Sequence, residues 1–256
     1  MVKLHNGDCL EVMDRLIEEG VEVDAIITDL PYGTTVCKWD SVIPLNEMWE
    51  RVNKLIRHNG NIIFFSQEPF TSNLVSSNYK QFKHKTIWQK TKPTGFPMAN
   101  YRPLKSYEEI VLFSDAPCTY VKSGDDGTYN PQGLVEQRKE IKRRNSTELI
   151  TSSSGGNLEK SYVSKYTNYP RDIVEFSNGK KKAIHPCEKP LDLMEYLVKT
   201  YTNEEDTILD FTMGSGSTGV VCKSINRKFI GIEMDESYFE IAKDRIKSTE
   251  IKGEIE

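Results

Sequence analysis

The 256-residue chain carries 34 lysines and arginines against 38 aspartates and glutamates, for a net charge of −4, and its length suffices for one large domain or for one domain with an insertion. Its five cysteines (Cys9, Cys37, Cys118, Cys187 and Cys222) are scattered, with no Cys-x-x-Cys pair and no histidine-rich neighbour, which points away from a zinc site and from a disulfide framework. No apolar run approaches the length of a membrane span and no basic, apolar leader follows Met1, so the expectation is a non-exported protein of the reducing cytoplasm without membrane contact.

In chain order, Val2 to His5 reads as a short strand, Gly7-Asp8 as a turn, and Leu10, Val12, Met13, Leu16 and Ile17 as the apolar face of a helix. Val23 to Thr28 is an apolar strand that stops abruptly at Asp29-Leu30-Pro31-Tyr32 and Gly33. Leu45, Met48, Trp49, Val52, Leu55 and Ile56 mark a helix ended by Asn59-Gly60. A strand at Asn61 to Phe65, a helix near Phe70 to Ser77 and a strand near His84 to Gln89 follow. After a loop with Pro93, Gly95 and Pro97 comes a strand near Glu109 to Phe113. This alternation is the mark of an α/β sheet.

From Ser114 to Tyr169 the pattern dissolves into Gly, Ser, Asn and charge, which reads as an irregular insertion. It holds the basic cluster Arg138, Lys139, Lys142, Arg143 and Arg144, more loosely interleaved with Tyr120, Tyr129, Tyr162, Tyr166 and Tyr169. Residues 80–182 contain 19 lysines and arginines against 11 acids, whereas the rest of the chain has 15 against 27. A basic middle in an acidic frame suits contact with phosphates, and a solvated basic loop has a similar composition.

Order returns at Ile184. Pro190 opens a helix through Leu193, Met194, Leu197 and Val198, and Thr207 to Leu209 forms a strand. Asp210 to Gly219 is then a glycine-rich turn leading into a helix with Val220, Val221 and Ile225. Phe229, Ile230 and Ile232 make the next strand, ending at Glu233, and Tyr238 to Ile246 close the chain with a helix.

Two stretches carry chemistry. At Asp29-Leu30-Pro31-Tyr32 a carboxylate, a backbone carbonyl and a flat aromatic face stand together, a set that fits a planar amine; a strand-ending turn with a capping aspartate has the same sequence. Gly214 and Gly216 let the backbone run close to a ligand, and Glu233 at the next strand end is placed to accept ribose hydroxyls. The loop also satisfies G-x-G-x-x-G, which keeps a nicotinamide enzyme in view, although the tetrapeptide has no task in hydride transfer.

Together these residues resemble the beta-class DNA amino-methyltransferases. Asp29-Leu30-Pro31-Tyr32 is similar to their D-P-P-Y motif and Leu209 to Thr218 to their cofactor loop. Asn6-Gly7-Asp8-Cys9-Leu10 and His185-Pro186-Cys187-Glu188-Lys189-Pro190 match two further blocks. The resemblance spans nearly the whole chain. It implies a Rossmann-like class I methyltransferase sheet, circularly permuted so that the catalytic motif precedes the cofactor loop. The implied parts are a catalytic half at 1–113, a target-recognition insertion at 114–170 and a cofactor half at 171–256.

The resemblance further implies S-adenosylmethionine as cofactor and double-stranded DNA as partner, with a homodimer and a cognate restriction endonuclease as additional expectations. Asp29, Leu30, Pro31 and Tyr32 are the implied catalytic set. Asp8 is assigned to the adenine amine, Glu233 to the ribose, Asp210, Thr212, Gly214 and Gly216 to the loop beneath the cofactor, and Ser217 and Lys189 to the methionine carboxylate. Members with Asp first usually modify adenine at N6, and N4 of cytosine is the alternative. Two departures stand out: Leu30 replaces the first proline, and Phe211-Thr212 stands where Pro-Phe is usual. A protein or RNA amide methyltransferase and a catalytically silent DNA-binding module are the remaining readings. The motif order disfavours the first of these and the intact Asp29, Tyr32 and Glu233 disfavour the second.

Overall fold

The computed structural model describes residues 1–33, 41–117, 126–142, 161–179 and 188–251. Among these, β1 (Val2–Asn6), α1 (Cys9–Glu18), β2 (Val23–Asp29), α2 (Leu45–Leu55), β3 (Ile56–Ser66) and α3 (Phe70–Ser77) open the chain. β4 (Phe82–Thr94), β5 (Lys105–Phe113), β6 (Val135–Lys142), β7 (Ser161–Thr167) and β8 (Ile173–Phe176) follow. The chain continues through α4 (Leu191–Tyr201), β9 (Thr207–Asp210), α5 (Ser217–Ser224), β10 (Lys228–Glu233) and α6 (Glu236–Ser248). Two units result, one of residues 1–130 with 172–256 and one of residues 131–171.

The larger unit is built on an eight-stranded sheet in the order β1-β10-β9-β2-β3-β5-β4-β8. β1, β10, β9, β2 and β3 run parallel, whereas β5 is antiparallel to both β3 and β4. The parallel strands are buried on both faces, which is why Ala25, Ile26, Ile27 and Ile62, Ile63, Phe64, Phe65 read as continuous apolar runs. One core packs the apolar faces of α1 and α2 with Phe64, Phe113 and Phe211, and the other packs α4 with Ile27, Ile63, Ile208 and Phe229.

Several boundaries differ from the sequence pattern: β4 runs on through Pro93 to Thr94 and β5 begins at Lys105, so the expected loop is shorter. The helix expected to reach Asn59-Gly60 stops at Leu55, because Ile56 takes an extended backbone and pairs with Val23. A side chain at Gly60 would meet the Asp24 carbonyl at 2.9 Å, so its glycine serves close strand approach rather than a helix stop. β8 lies just past the expected insertion, where no strand was expected: it is a four-residue strand added beside β4, where the Trp88 indole donates to the Phe176 carbonyl at 2.9 Å. In the smaller unit, the expected irregular stretch contains an antiparallel pair, β6 and β7. Their sequences are rich in charged and polar residues without apolar alternation, and the ladder itself shifts register between Glu136 and Lys139, so the period-2 signal is absent.

Candidate active site

β9 and β2 are parallel neighbours, with Ala25 beside Ile208 and Ile26 beside Leu209. Their carboxyl ends therefore lie together, at the point where the chain turns one way to β10 and the other way to β3. A crevice at such a switch point is where open α/β sheets hold ligands. Here it is a cleft of about 1000 Å³ lined by Asp8, Asp29 to Tyr32, Lys90, Glu108, Lys189, Asp210 to Ser215, Ser217 and Glu233.

At the tetrapeptide, Asp29 ends β2 and its Oδ1 accepts the Tyr32 hydroxyl at 2.7 Å. The Leu30 side chain is buried among Met48, Phe64 and their neighbours, so the residue that departs from D-P-P-Y anchors the turn in the core. Tyr32 is half-buried with its ring 5.5 Å from that of Phe70. The structure places Lys189, expected at the methionine carboxylate, with its ammonium on Asp29 Oδ2 and 3.5 Å from Glu108 Oε2.

The loop after β9 is fastened from beneath by Asp210. This fully buried carboxylate accepts the hydroxyls of Thr28 and Thr218, each at 2.5 Å, and the Thr212 amide at 3.2 Å. Burial pushes its pKa up to about 6, against the opposing pull of those donors. Phe211 turns into the core with its ring edge-on to Phe64 at 6.1 Å, while the Thr212 hydroxyl donates to the Asp29 carbonyl at 2.9 Å. The two residues that depart from Pro-Phe thus divide into a core anchor and a bridge to the tetrapeptide.

Gly214 (φ 52°) and Gly216 (φ 78°) take left-handed backbone. A side chain at Gly216 would meet Ala242 at 2.9 Å, so this glycine lets the loop close against α6. Glu233 accepts the Gly214 amide at 2.9 Å and the Asp235 amide at 2.8 Å, and burial raises its pKa against those two donors. Asp8 caps α1, accepting from Leu10 at 2.9 Å and Glu11 at 3.2 Å, while its side chain also borders the cleft. The buried Ser217 hydroxyl has no hydrogen-bond partner among the described residues. A polar ligand atom in the cleft fits that need.

Sequence reading missed four residues of this site. Thr28 and Thr218 looked like ordinary strand and helix residues. Arg245 grips the Ser215 carbonyl at 2.6 Å and Glu188 at 2.7 Å, a contact made across the fold. Glu108 preceded an apolar strand and gave only the weak signal of an acid beside a buried run. Of the basic cluster, Arg138 and Lys139 stand exposed on β6 and Lys142 ends that strand, while Arg143 and Arg144 lie outside the described residues.

Residues 23–244 match the DNA methylase family. The type II methyltransferase M.HpaI of Haemophilus parainfluenzae is 26% identical over 259 residues, spanning 94% of this chain and 73% of that protein. The structure of the M1.HpyAVI–SAM complex aligns with a TM-score of 0.64 at 26% identity, covering 96% of this chain and 100% of that one. PvuII DNA methyltransferase, cytosine-N4-specific, is only 14% identical but shares the fold at a TM-score of 0.63 over 95% of this chain and 86% of its own. The sheet, the cleft at its switch point and the match along the chain agree: this chain has the class I methyltransferase fold and belongs to the DNA methylase family of beta-class N6-adenine and N4-cytosine amino-methyltransferases.

Proposed function

We propose that this chain methylates the exocyclic N6 of an adenine flipped out of duplex DNA, using S-adenosylmethionine as methyl donor. The observation that carries this reading is the meeting, at adjacent strand ends, of the Asp29–Tyr32 pair with the loop that Asp210 and Glu233 organise. When bound, S-adenosylmethionine supplies an electrophilic methyl group on a positively charged sulfur. Glu233 would hold the ribose hydroxyls, the unpartnered Ser217 hydroxyl the methionine end, and Asp8 the adenine amine, each from the wall of one cleft.

An exocyclic amine is a poor nucleophile because its lone pair is delocalised into the ring. Asp29 accepts one amine hydrogen and the Leu30 carbonyl the other, which localises that lone pair and stabilises positive charge as it develops on nitrogen. The Tyr32 ring offers the face on which the extruded base stacks. Charge for the phosphates comes from Arg138, Lys139, Lys142, Arg143 and Arg144, in an insertion we assign to target recognition. A homodimer and a cognate endonuclease are further expectations of the same reading.

The second reading is N4 of cytosine. It is favoured by the generality of the Asp29–Tyr32 grip, which suits either planar amine, and the carboxylate at position 29 is what tips the choice to adenine. Single-molecule methylation sequencing of DNA from a host expressing the protein, with nucleoside mass spectrometry, tests both. N6-methyladenine at one sequence motif is expected. N4-methylcytosine alone replaces the first reading with the second, and unmodified DNA removes both.

A further inference from the structure

The carboxylate that must receive the amine is already engaged on both oxygens, Oδ1 by the Tyr32 hydroxyl at 2.7 Å and Oδ2 by the Lys189 ammonium. That ammonium is buried over the Phe65 ring at 4.9 Å, and its backbone is held at the start of α4 by Pro190. On its other side stands Glu108. Glu108 Oε1 takes the Lys90 ammonium at 2.5 Å, whereas Oε2 is buried without a hydrogen-bond partner among the described residues and lies 3.5 Å from Lys189. Burial pulls the Glu108 pKa upward, but Lys189 and Lys90 outweigh it and hold it below the usual carboxylate range, so Glu108 is an anion at neutral pH.

One ammonium thus sits between two carboxylates, bonded to the one that chemistry needs and just short of the one that lacks a donor. A cation left on Asp29 draws off the negative charge that should receive the amine hydrogen, and a buried acceptor left without a donor is costly. We propose that Lys189 is a positioning residue that passes from Asp29 to Glu108 when the target amine enters, freeing Asp29 Oδ2 for the amine. Lys189 closes the remaining distance to a charge-assisted bond of about 2.8 Å on Glu108. No proton moves: the Lys189 ammonium changes partner and the charge of the cluster is constant. The inference rests on the amine-methylating reading of the cleft.

The test follows transfer of a tritiated methyl group from S-adenosylmethionine into unmethylated phage DNA by the wild-type protein, Glu108→Gln, Lys189→Met and the double variant, with cofactor affinity measured by calorimetry. Glu108→Gln removes the receiving charge and leaves Lys189 on Asp29. Its kcat should fall about tenfold or more with cofactor Kd unchanged within about twofold. Lys189→Met in the Glu108→Gln background removes the trapped cation and should recover several-fold of that loss. A role confined to packing gives no such recovery, because a second truncation in a damaged core worsens it. Glu108→Asp, which keeps the charge beside Lys90 and draws it back from Lys189, gives the same ordering if Gln impairs folding. A double variant no more active than its Glu108-substituted parent, or a Glu108→Gln enzyme at the wild-type rate, overturns the proposal. A wild-type protein that transfers no methyl group overturns the amine-methylating reading beneath it, and the two failures are distinct.

Discussion

The Thr212 hydroxyl donates to the Asp29 carbonyl at 2.9 Å and lies 2.8 Å from the Thr28 hydroxyl, so the loop after β9 is tied to the tetrapeptide by one side chain. Through it, the part of the cleft assigned to the cofactor and the part assigned to the base share one rigid floor. Thr212→Val keeps the volume and removes the bond to Asp29 together with the polar contact to Thr28. It should lower stability by about 1–2 kcal/mol and reduce kcat more than it weakens cofactor binding. Thermal denaturation with steady-state kinetics checks this, and an unchanged kcat would show that the tie is structural only.

Asp29 separates binding from chemistry. Its carboxylate sits at the tetrapeptide end of the cleft on Tyr32 and Lys189, whereas Glu233 holds the Gly214 amide at the end where the cofactor is assigned. Asp29→Ala should therefore abolish methyl transfer and leave the S-adenosylmethionine Kd within about threefold of wild type in calorimetry. Asp29→Asn, which keeps the shape without the charge, should be nearly as inactive, since the proposed role needs an anion beside the developing positive nitrogen. Retained turnover in either variant would remove Asp29 from the mechanism.

Much of this was legible in the sequence, and the reasons differ by residue. The strands feeding Asp29 and Asp210 are buried on both faces and so announce themselves as apolar runs ending in an acid. Tyr32, Gly214 and Glu233 follow from short spacings along the chain. The Lys189–Asp29 and Arg245–Ser215 contacts join residues far apart in sequence, which no local pattern encodes. The packing of Gly216 against Ala242 joins the loop to α6 and was not visible in the local sequence. β6 and β7 escaped because an antiparallel pair rich in charged and polar residues carries no apolar alternation.

Asp210 makes a pH prediction. Its pKa of about 6 in the folded protein lies above the ordinary value of 3.8, so between those limits the folded state holds more protons than the unfolded chain. This group's contribution to stability is therefore greatest at low pH and declines as pH rises from about 4 to about 6. The decline is bounded on the order of 3 kcal/mol, the two-unit shift converted at about 1.4 kcal/mol per unit. Asp210→Asn, which cannot ionise, should lose this slope. Urea denaturation of both proteins from pH 4 to pH 7 gives the difference curve, and parallel curves would place the folded pKa near that of an ordinary aspartate.

Gly216→Ala tests the loop's dependence on α6. The substitution forces a β-carbon into left-handed backbone and to within 2.9 Å of the Ala242 side chain. Left-handed strain alone costs about 1 kcal/mol, and displacement of a packed helix adds to it, for a total of about 2–4 kcal/mol. The second substitution Ala242→Gly should recover the packing part and leave the backbone part. Equal stability of Gly216→Ala and wild type in thermal melts would show that the loop and helix separate freely.

The insertion is tested by salt. Arg138 and Lys139 stand exposed on β6 and belong to the basic run that continues through Lys142 to Arg144. Each phosphate they neutralise releases counterions and contributes roughly 0.9 to the slope of log affinity against log salt. Arg138→Glu with Lys139→Glu should weaken duplex binding at low salt by tenfold or more and flatten that slope by about one to two. Because these contacts are to phosphates, the loss should be similar for DNA with and without the methylated motif. Binding titrations at several salt concentrations decide it, and an unchanged slope would move the phosphate contacts off the β6 strand.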